Sequence, residues 1–205
     1  MSSIGKIQKR TDNRFLNFYE LEAIHRDGKS APYYMASRNP DPADLKAVTH
    51  QNNPDGVILY GVYGEEKDRV VLVRQFRYPV AGYVYEFPAG LVEPGEDLLQ
   101  SGIREMYEET GLTFTPRPAG CRSRSFFMSV GMTDESCGTV FGYCSGNPTN
   151  CHQEESEEIQ VIIADRAECR RILREENVAL PCAYMLMHFI SCKGDPLDFL
   201  EADDL

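Results

Sequence analysis

The sequence predicts an α+β sandwich, in which helices cover a β-sheet, rather than a doubly wound parallel sheet. The prediction depends on the order of apolar patterns along the 205 residues. Strand-like runs dominate the first half, one helical pattern lies in the middle, and two helical patterns close the chain. A composition of 42% hydrophobic and 26% charged residues is that of an ordinary globular protein that buries a core.

The first predicted strands form an N-terminal arm. Residues 14–38 contain two apolar-rich strands around a turn at Asp27–Gly28, and residues 39–56 are rich in Pro, Asn and Asp, as a connection would be. We therefore expect an N-terminal β arm over residues 1–50 and a main domain over residues 51–205. Further strands are predicted for the runs 56–63, 69–78, 83–88, 121–128, 139–144 and 158–164.

Three helices follow from capping signals and apolar spacing. The first covers residues 97–110 and stops at Gly111. The second begins at Asp165, with Glu168 three residues on, which is the signature of a capping box. The third opens with a helix-compatible proline and ends near Gly194, which is suited to the C′ position.

Charge and cysteine content exclude several classes of protein. The formal net charge of −11 disfavours a nucleic-acid binder, and an anionic substrate would need local arginines or a bound cation. No run approaches the roughly 20 apolar residues of a membrane span, and the first residues lack the apolar core of a signal peptide, so we expect a cytoplasmic protein. Seven cysteines without a CxxC pair predict free buried thiols rather than a disulfide framework or a zinc cage.

The middle helix combines a core face with unfavourable choices. Leu99, Ile103 and Met106 lie on one stripe, which we expect to face the core. Gly102 in the helix interior costs about 1 kcal/mol relative to alanine. A sequence selected only for helix stability would not contain this glycine.

Carboxylates share a different face of the same helix. Glu105, Glu108 and Glu109 fall at i, i+3 and i+4, where each like-charged pair costs about 0.2–0.5 kcal/mol. Oxygen-only anionic ligands suit Mg²⁺ or Mn²⁺, and no sulfur or imidazole is present to suggest zinc. Arg104 precedes Glu108 by one turn and can brace a carboxylate. A solvated acidic face is the alternative for the glutamates taken alone.

The whole segment from residue 90 to residue 112 resembles the complete signature of the Nudix hydrolases. This resemblance implies a Nudix fold with a mixed β-sheet between helices, and hydrolysis of a nucleoside diphosphate linked to another moiety. It also implies that Arg104 and Glu109 take part in catalysis. The implied metal ligands are Glu105, Glu108, Glu109 and the main-chain carbonyl of Ala89, with Glu96 close by in a positioning role. The fixed signature positions are Gly90, Glu96, Arg104, Glu105, Glu108, Glu109 and Gly111.

Residues 55–112 further resemble the ADP-ribose and ADP-sugar pyrophosphatases, in which a strand ending in Gln-Phe-Arg leads into Glu-Phe-Pro-Ala-Gly. By this resemblance Arg77 contacts substrate phosphate and Glu86 lies in the site. A surface arginine at a strand end is the alternative for Arg77. The activity implied is Mg²⁺-dependent hydrolysis of ADP-ribose or a related ADP-sugar to AMP and a sugar phosphate.

Two other segments match this subfamily in part. Residues 129–135 stand where a Ser-Pro-Gly-like turn is usual, with Val130 in place of proline, and Gly131 and Glu135 are kept. In the segment 31–38, Tyr33 (or Tyr34) would stack on adenine and Arg38 would meet phosphate, although an aromatic on paired strands also suits core packing. The predicted substrate-binding residues are Arg77, Glu86, Arg38, Tyr33, Gly131 and Glu135.

The acidic run 152–161 precedes a strand, at the point where these pyrophosphatases carry a loop whose glutamate deprotonates the attacking water. Glu157 matches best by position, and Glu154, Glu155 and Glu158 remain alternatives. A solvated loop is the default interpretation of such a run.

Family members commonly dimerise through N-terminal arms, so the resemblance implies a homodimer. The partners expected are a small nucleoside diphosphate substrate and a second copy of the chain, without nucleic acid or membrane. Two alternatives to the activity are hydrolysis of another nucleotide sugar or a dinucleotide cofactor, and a non-catalytic sensor of ADP-ribose. A sensor would be expected to have lost metal carboxylates, whereas this chain keeps all of them.

Overall fold

A computed structural model describes residues 1–151, 153 and 158–200. The chain divides into two compact units, one formed by residues 1–55 and 125–137, the other by residues 56–124 and 138–205. The strands are β1 (Ser3–Lys9), β2 (Asn17–Ile24), β3 (Ser30–Ser37), β4 (Gly56–Tyr63), β5 (Arg69–Arg77), β6 (Gly82–Glu86), β7 (Ala89–Leu91), β8 (Thr113–Pro116), β9 (Phe126–Phe127), β10 (Ser136–Ser145) and β11 (Ile159–Asp165). The helices are α1 (Lys46–Thr49), α2 (Leu98–Thr110), α3 (Arg166–Glu175) and α4 (Leu180–Ser191).

The first unit contains an antiparallel sheet of order β1-β2-β3. The predicted hairpin is confirmed, and its turn includes Gly28 at a φ of 84°, a backbone conformation that glycine adopts without strain. Strand β1 was not predicted. Only Ile4 and Ile7 give it an apolar character, and an irregularity in the pairing separates them, so the usual alternation is lost.

A buried lysine joins distant segments of the first unit. The Lys46 ammonium donates hydrogen bonds to Asp55, at 2.6 Å, and to the Ser136 hydroxyl. The Ser136 main-chain N–H also donates to Asp55, at 2.8 Å. These contacts tie residues 125–137 to the N-terminal segment, although the two are far apart in sequence.

The strand predicted over residues 121–128 is largely wrong. Only β9 forms there, paired with Ser136 and Cys137, and Arg122 makes an isolated bridge to Val140. Five of the seven residues 126–132 carry large apolar side chains that are at least one third exposed. The apolar composition of this segment therefore reflects exposed side chains rather than a buried strand.

The second unit is built on a mixed sheet of order β11-β5-β4-β10-β8, with β6 paired to β5 and β7 paired to β4. Strands β5 and β11 are antiparallel to each other, as are β5 and β6. Strands β4 and β10 run in the same direction, because Asp55, just before β4, bonds to Ser136 at the start of β10, and Gly64, just after β4, bonds to Cys144 near its end. The α+β class with a mixed sheet and helices is confirmed.

Helices pack on both faces of this sheet. On one face Val71 and Leu59 pack in a cluster with Met106 of α2. On the other, Val70 and Leu72 pack in a cluster that includes side chains of α3 and α4. Successive residues of β5 therefore contribute to opposite cores, as the twofold period of a strand requires. We refer to these as the α2 face and the α3–α4 face.

The capping predictions for the last two helices have different outcomes. Asp165 caps α3 by accepting a hydrogen bond from the Glu168 N–H, at 2.8 Å. Helix α4 ends earlier than expected: its C-cap is Cys192, with a φ of −69°, and Gly194 does not adopt the left-handed conformation of a C′ glycine. Strands β7 and β8 were not predicted, since each is only three or four residues long.

Within the described residues, no helix is long and apolar enough to cross a membrane. The described cysteines are all free thiols. They are only partly buried, as opposed to the expectation of buried thiols: Cys144, Cys169 and Cys182 are buried, Cys121, Cys137 and Cys192 are partly exposed, and Cys151 is exposed.

Candidate active site

Helix α2 is fixed at both ends by its own sequence. The Asp97 carboxylate accepts hydrogen bonds from the N–H groups of Leu99, at 3.0 Å, and Gln100, at 2.8 Å, and the Gln100 side chain completes a capping box. Gly111 ends the helix at a φ of 69°, and its N–H donates to the Tyr107 carbonyl. The predicted helix is confirmed, with Asp97 as its cap rather than its first residue.

The buried face of α2 differs from the predicted stripe. Met106 is fully buried as expected, but Ile103 is 42% exposed. The buried face is centred on Gly102 and Glu109 instead. A Cβ atom at residue 102 would lie 2.9 Å from Leu59 Cδ2, so the glycine allows α2 to approach the sheet. This close packing explains the interior glycine that helix propensity alone does not.

The three predicted ligand carboxylates differ in burial. The Glu108 side chain is 46% exposed and that of Glu105 is 14% exposed. Glu109 is 4% exposed as a whole residue, and its carboxylate accepts a hydrogen bond from the Ala89 N–H, at 3.1 Å. Glu109 is therefore held next to the residue whose carbonyl is predicted as a further ligand.

Arg104 connects most of the acidic signature positions. Its Nη1 donates to Glu105, at 2.9 Å, and to Glu108, at 3.0 Å. Its Nη2 donates to Glu96, at 2.9 Å, and to the Leu91 carbonyl, at 3.2 Å. The guanidinium compensates the like-charge repulsion that the sequence predicts for this helix face.

This network changes the acidity of its members. Hydrogen bonds from Arg104, and then from the Ser101 hydroxyl, lower the pKa of Glu96 to about 2. The same contact with Glu96, followed by those with Glu105 and Glu108, raises the pKa of the Arg104 guanidinium. Glu96 is therefore held as a carboxylate facing Arg104, which agrees with a positioning role. Ser101, which is fully buried and bonds to Glu96 at 2.7 Å, was not predicted; its place one turn before Glu105 was the only signal available.

The donor set fits a hard divalent cation, although the carboxylates are not gathered around one point. Across the described part of the chain, no three His, Cys, Asp or Glu side chains are placed as a group that could hold a metal ion. The reason is local: Arg104 lies against Glu105 and Glu108, and Glu109 bonds to the main chain of Ala89. The oxygen-only donors on one rigid helix nevertheless match the preference of Mg²⁺ or Mn²⁺.

Gly90 makes room for one of these carboxylates. A Cβ atom on residue 90 would lie 1.9 Å from Glu105 Cδ and 2.0 Å from its Oε1. The space that a side chain would fill beside β7 is thus taken by the Glu105 carboxylate, which gives the signature glycine a physical reason.

We expect Gly90→Ala to lower activity without unfolding the protein. The added methyl group displaces the flexible end of Glu105 rather than main chain, so we expect a loss of about tenfold or more in kcat/KM and a small change in Tm. Steady-state kinetics and thermal melts measure the two. Gly131→Ala is a matched control, because a Cβ there meets no atom within 4 Å. Full activity of Gly90→Ala would contradict the role of Glu105.

Arg77 and Glu86 lie on the α2 face of the sheet. Val71 of β5 packs in the α2 cluster, and Arg77 follows at an even spacing. Glu86 of β6 stands opposite Val73, which shares this face. Arg77 Nε donates to Glu86 Oε2, at 2.6 Å. The two predicted substrate residues are thus brought together.

Glu158 lies on the opposite face. The Tyr83 hydroxyl of β6 donates a hydrogen bond to its carboxylate, which raises the pKa of Tyr83. Tyr83 stands opposite Phe76, on the α3–α4 face, and the Arg74 guanidinium packs 3.9 Å from its ring centre. Of the four glutamates considered as the base, Glu158 is therefore turned away from α2. Glu157, Glu154 and Glu155 lie outside the described residues.

The remaining predicted contacts lie in the first unit and form two pairs. The Tyr33 hydroxyl donates to the Gly131 carbonyl, at 2.7 Å, and Arg38 donates to Glu135, at 2.8 Å. Tyr34 instead stacks on Phe18, with ring centres 5.7 Å apart. The sequence prediction thus selected residues that the fold brings together, without showing whether they contact a substrate.

Comparison with known proteins identifies the family. Residues 52–178 match the NUDIX domain model. The chain is 35% identical over 83 residues to an ADP-ribose pyrophosphatase of Bacillus subtilis, covering 40% of this chain and 42% of that protein. It is 44% identical over 57 residues to an ADP-ribose pyrophosphatase of Saccharomyces cerevisiae, covering 27% and 25%.

A solved structure described as an ADP compounds hydrolase has the same fold. Its TM-score is 0.59 at 16% identity, and the match covers 85% of this chain and 83% of that one. The sequence matches span less than two thirds of the length of the curated relatives. With the domain match covering more than half of the chain and the signature helix in place, the protein belongs to the Nudix family.

Proposed function

We propose that this protein hydrolyses the pyrophosphate bond of ADP-ribose or a related ADP-sugar, giving AMP and a sugar phosphate, with Mg²⁺ or Mn²⁺ as cofactor. The observation that carries the proposal is the placement of a carboxylate-bearing helix and the Arg77–Glu86 pair on one face of the same sheet. Carboxylates for a cation and an arginine for phosphate are the two groups that a diphosphate substrate needs. The ADP-ribose pyrophosphatases among the relatives support the choice of substrate.

The residues that would hold the cation are Glu105, Glu108, Glu109 and the carbonyl of Ala89. A bound divalent cation supplies charge neutralisation at the diphosphate and polarises an attacking water. Arg104, held by Glu96, braces Glu105 and Glu108 from one side of the helix. Glu109, held by the Ala89 N–H, is fixed from the sheet side. The chain thereby positions its carboxylates from two directions before a substrate binds.

The acidic residue proposed to take a proton from the attacking water is Glu157. The ligand carboxylates are committed to the cation, so a base must come from elsewhere in the chain. We place Arg38, Tyr33, Gly131 and Glu135 among the substrate contacts, and a homodimer as the state in solution, as proposals that depend on the likeness to the pyrophosphatases.

A substrate panel distinguishes this proposal from its alternatives. The protein is incubated with Mg²⁺ and each of ADP-ribose, other ADP-sugars, UDP- and GDP-sugars, and dinucleotides such as NAD, and the products are separated by chromatography. The highest kcat/KM is expected for ADP-ribose or another ADP-sugar. Preference for a dinucleotide or a different nucleotide sugar would replace the substrate assigned here. Binding of ADP-ribose without any product would favour a sensor.

Arg77→Lys tests the phosphate contact. We expect kcat/KM for the best substrate to fall by about tenfold or more, because an ammonium group cannot reproduce the fork of a guanidinium. Arg74→Lys is the matched control, since Arg74 lies three residues away on the α3–α4 face and bonds to Gln160. Equal activity of Arg77→Lys and the wild type would remove Arg77 from the substrate site.

A further inference from the structure

Arg77 and Glu86 are not cross-strand neighbours, although they form a close ion pair. In the pairing of β5 with β6, Arg77 stands opposite Gly82 and Glu86 stands opposite Val73. Four residues along a strand correspond to about 13 Å. The arginine side chain must therefore run back along the sheet to reach the carboxylate, so Glu86 determines the direction in which the guanidinium points.

The contact uses only one edge of the guanidinium. Glu86 accepts from Nε, at 2.6 Å, and its side chain is 20% exposed, whereas that of Arg77 is 45% exposed. Among the residues that the structure describes, none forms a hydrogen bond with the terminal amino groups of Arg77. A guanidinium held by Nε keeps these amino groups available for a bidentate contact with an anion.

We propose that Glu86 is a positioning residue, which acts on the substrate through Arg77 by holding the Nε edge and directing the two amino groups at the diphosphate. This inference rests on the proposed function, because it requires a diphosphate substrate at Arg77. It differs from the role implied by the family resemblance, in which Glu86 simply lies in the site. Glu86 need not touch the substrate at all.

A double-mutant cycle with a rescue variant tests the role. Steady-state kinetics on the best substrate of the panel compare the wild type with Glu86→Ala, Glu86→Gln, Arg77→Ala and the double Arg77→Ala/Glu86→Ala variant. We expect Glu86→Ala to lower kcat/KM by about tenfold or more, mainly through KM, because a misdirected arginine weakens binding. Glu86→Gln keeps an oxygen acceptor at the same reach, so we expect it to stay within about threefold of the wild type.

The cycle separates positioning from direct contact. If Glu86 acts through Arg77, Glu86→Ala has little further effect once Arg77 is alanine, which is strong non-additivity. Additive losses, or a Glu86→Gln variant as poor as Glu86→Ala, would overturn the positioning role. Equal activity of Glu86→Ala and the wild type would overturn it as well.

Two readings protect the test from other failures. A purely structural ion pair would lower Tm in all Glu86 variants without the loss in KM, and that result would contradict the proposal. Absence of hydrolysis by the wild type on every compound would overturn the proposed function itself. Hydrolysis by the wild type with additive mutational effects would overturn only the role of Glu86.

Discussion

Glu109→Gln is expected to lower kcat/KM by at least about 10²-fold, because a divalent cation at the diphosphate supplies several kcal/mol of transition-state stabilisation and this side chain is one of its proposed ligands. The fold should be retained. The amide oxygen of glutamine can still accept the hydrogen bond from the Ala89 N–H, and one buried negative charge is removed. Steady-state kinetics at saturating Mg²⁺ and a thermal melt without added metal measure the two effects.

Glu108→Gln and Glu175→Gln complete this test. Glu108 shares the helix face and bonds to Arg104, so its replacement should cause a loss of similar order, with a fold as stable as the wild type or slightly more so. Glu175 lies on α3, away from the signature helix, and its replacement should change kcat/KM by less than about twofold. If Glu108→Gln and Glu109→Gln both kept wild-type turnover, α2 would not be part of the active site.

Glu157→Gln is expected to lower kcat by at least about 10²-fold with little change in KM or metal affinity, since a positioned general base contributes about 10²–10⁴-fold. The amide cannot take a proton, but it preserves the size of the side chain. Kinetics over a range of substrate and Mg²⁺ concentrations separate the effect on kcat from effects on binding.

The neighbouring glutamates provide the matched controls. Glu158→Gln should have a much smaller effect, because this carboxylate bonds to Tyr83 on the α3–α4 face. Glu154→Gln and Glu155→Gln should also remain near wild type. A large loss in one of these variants instead would move the base to that residue, and four active variants would show that the run 154–158 supplies no base.

The metal-binding helix could be predicted from sequence because its information is local. Asp97, Gly111 and the spacing of the glutamates act within a few turns, so the limits of α2 and its acidic face follow from neighbouring residues. Its orientation on the sheet could not be predicted in the same way. Ile103 was expected in the core, but the helix buries Gly102 and Glu109, and a buried carboxylate is not apparent from an apolar pattern.

Features that depend on distant residues were not predicted. The Lys46–Asp55–Ser136 contacts join segments 90 residues apart, and no motif connects them. The alternation of β5 and β6 was needed to place Arg77 with Glu86 on the α2 face and Glu158 on the other. The likeness to the pyrophosphatases identified the residues, and the strand register showed which face each one uses.

The most direct test of the account is the fate of ADP-ribose in the presence of this protein. The metal-free protein is incubated with ADP-ribose, with and without Mg²⁺, and the nucleotides are quantified by chromatography. The account predicts AMP and ribose 5-phosphate in equal amounts when Mg²⁺ is present, and intact ADP-ribose when the cation is removed by EDTA. Intact ADP-ribose under both conditions, or equal hydrolysis under both, would contradict it.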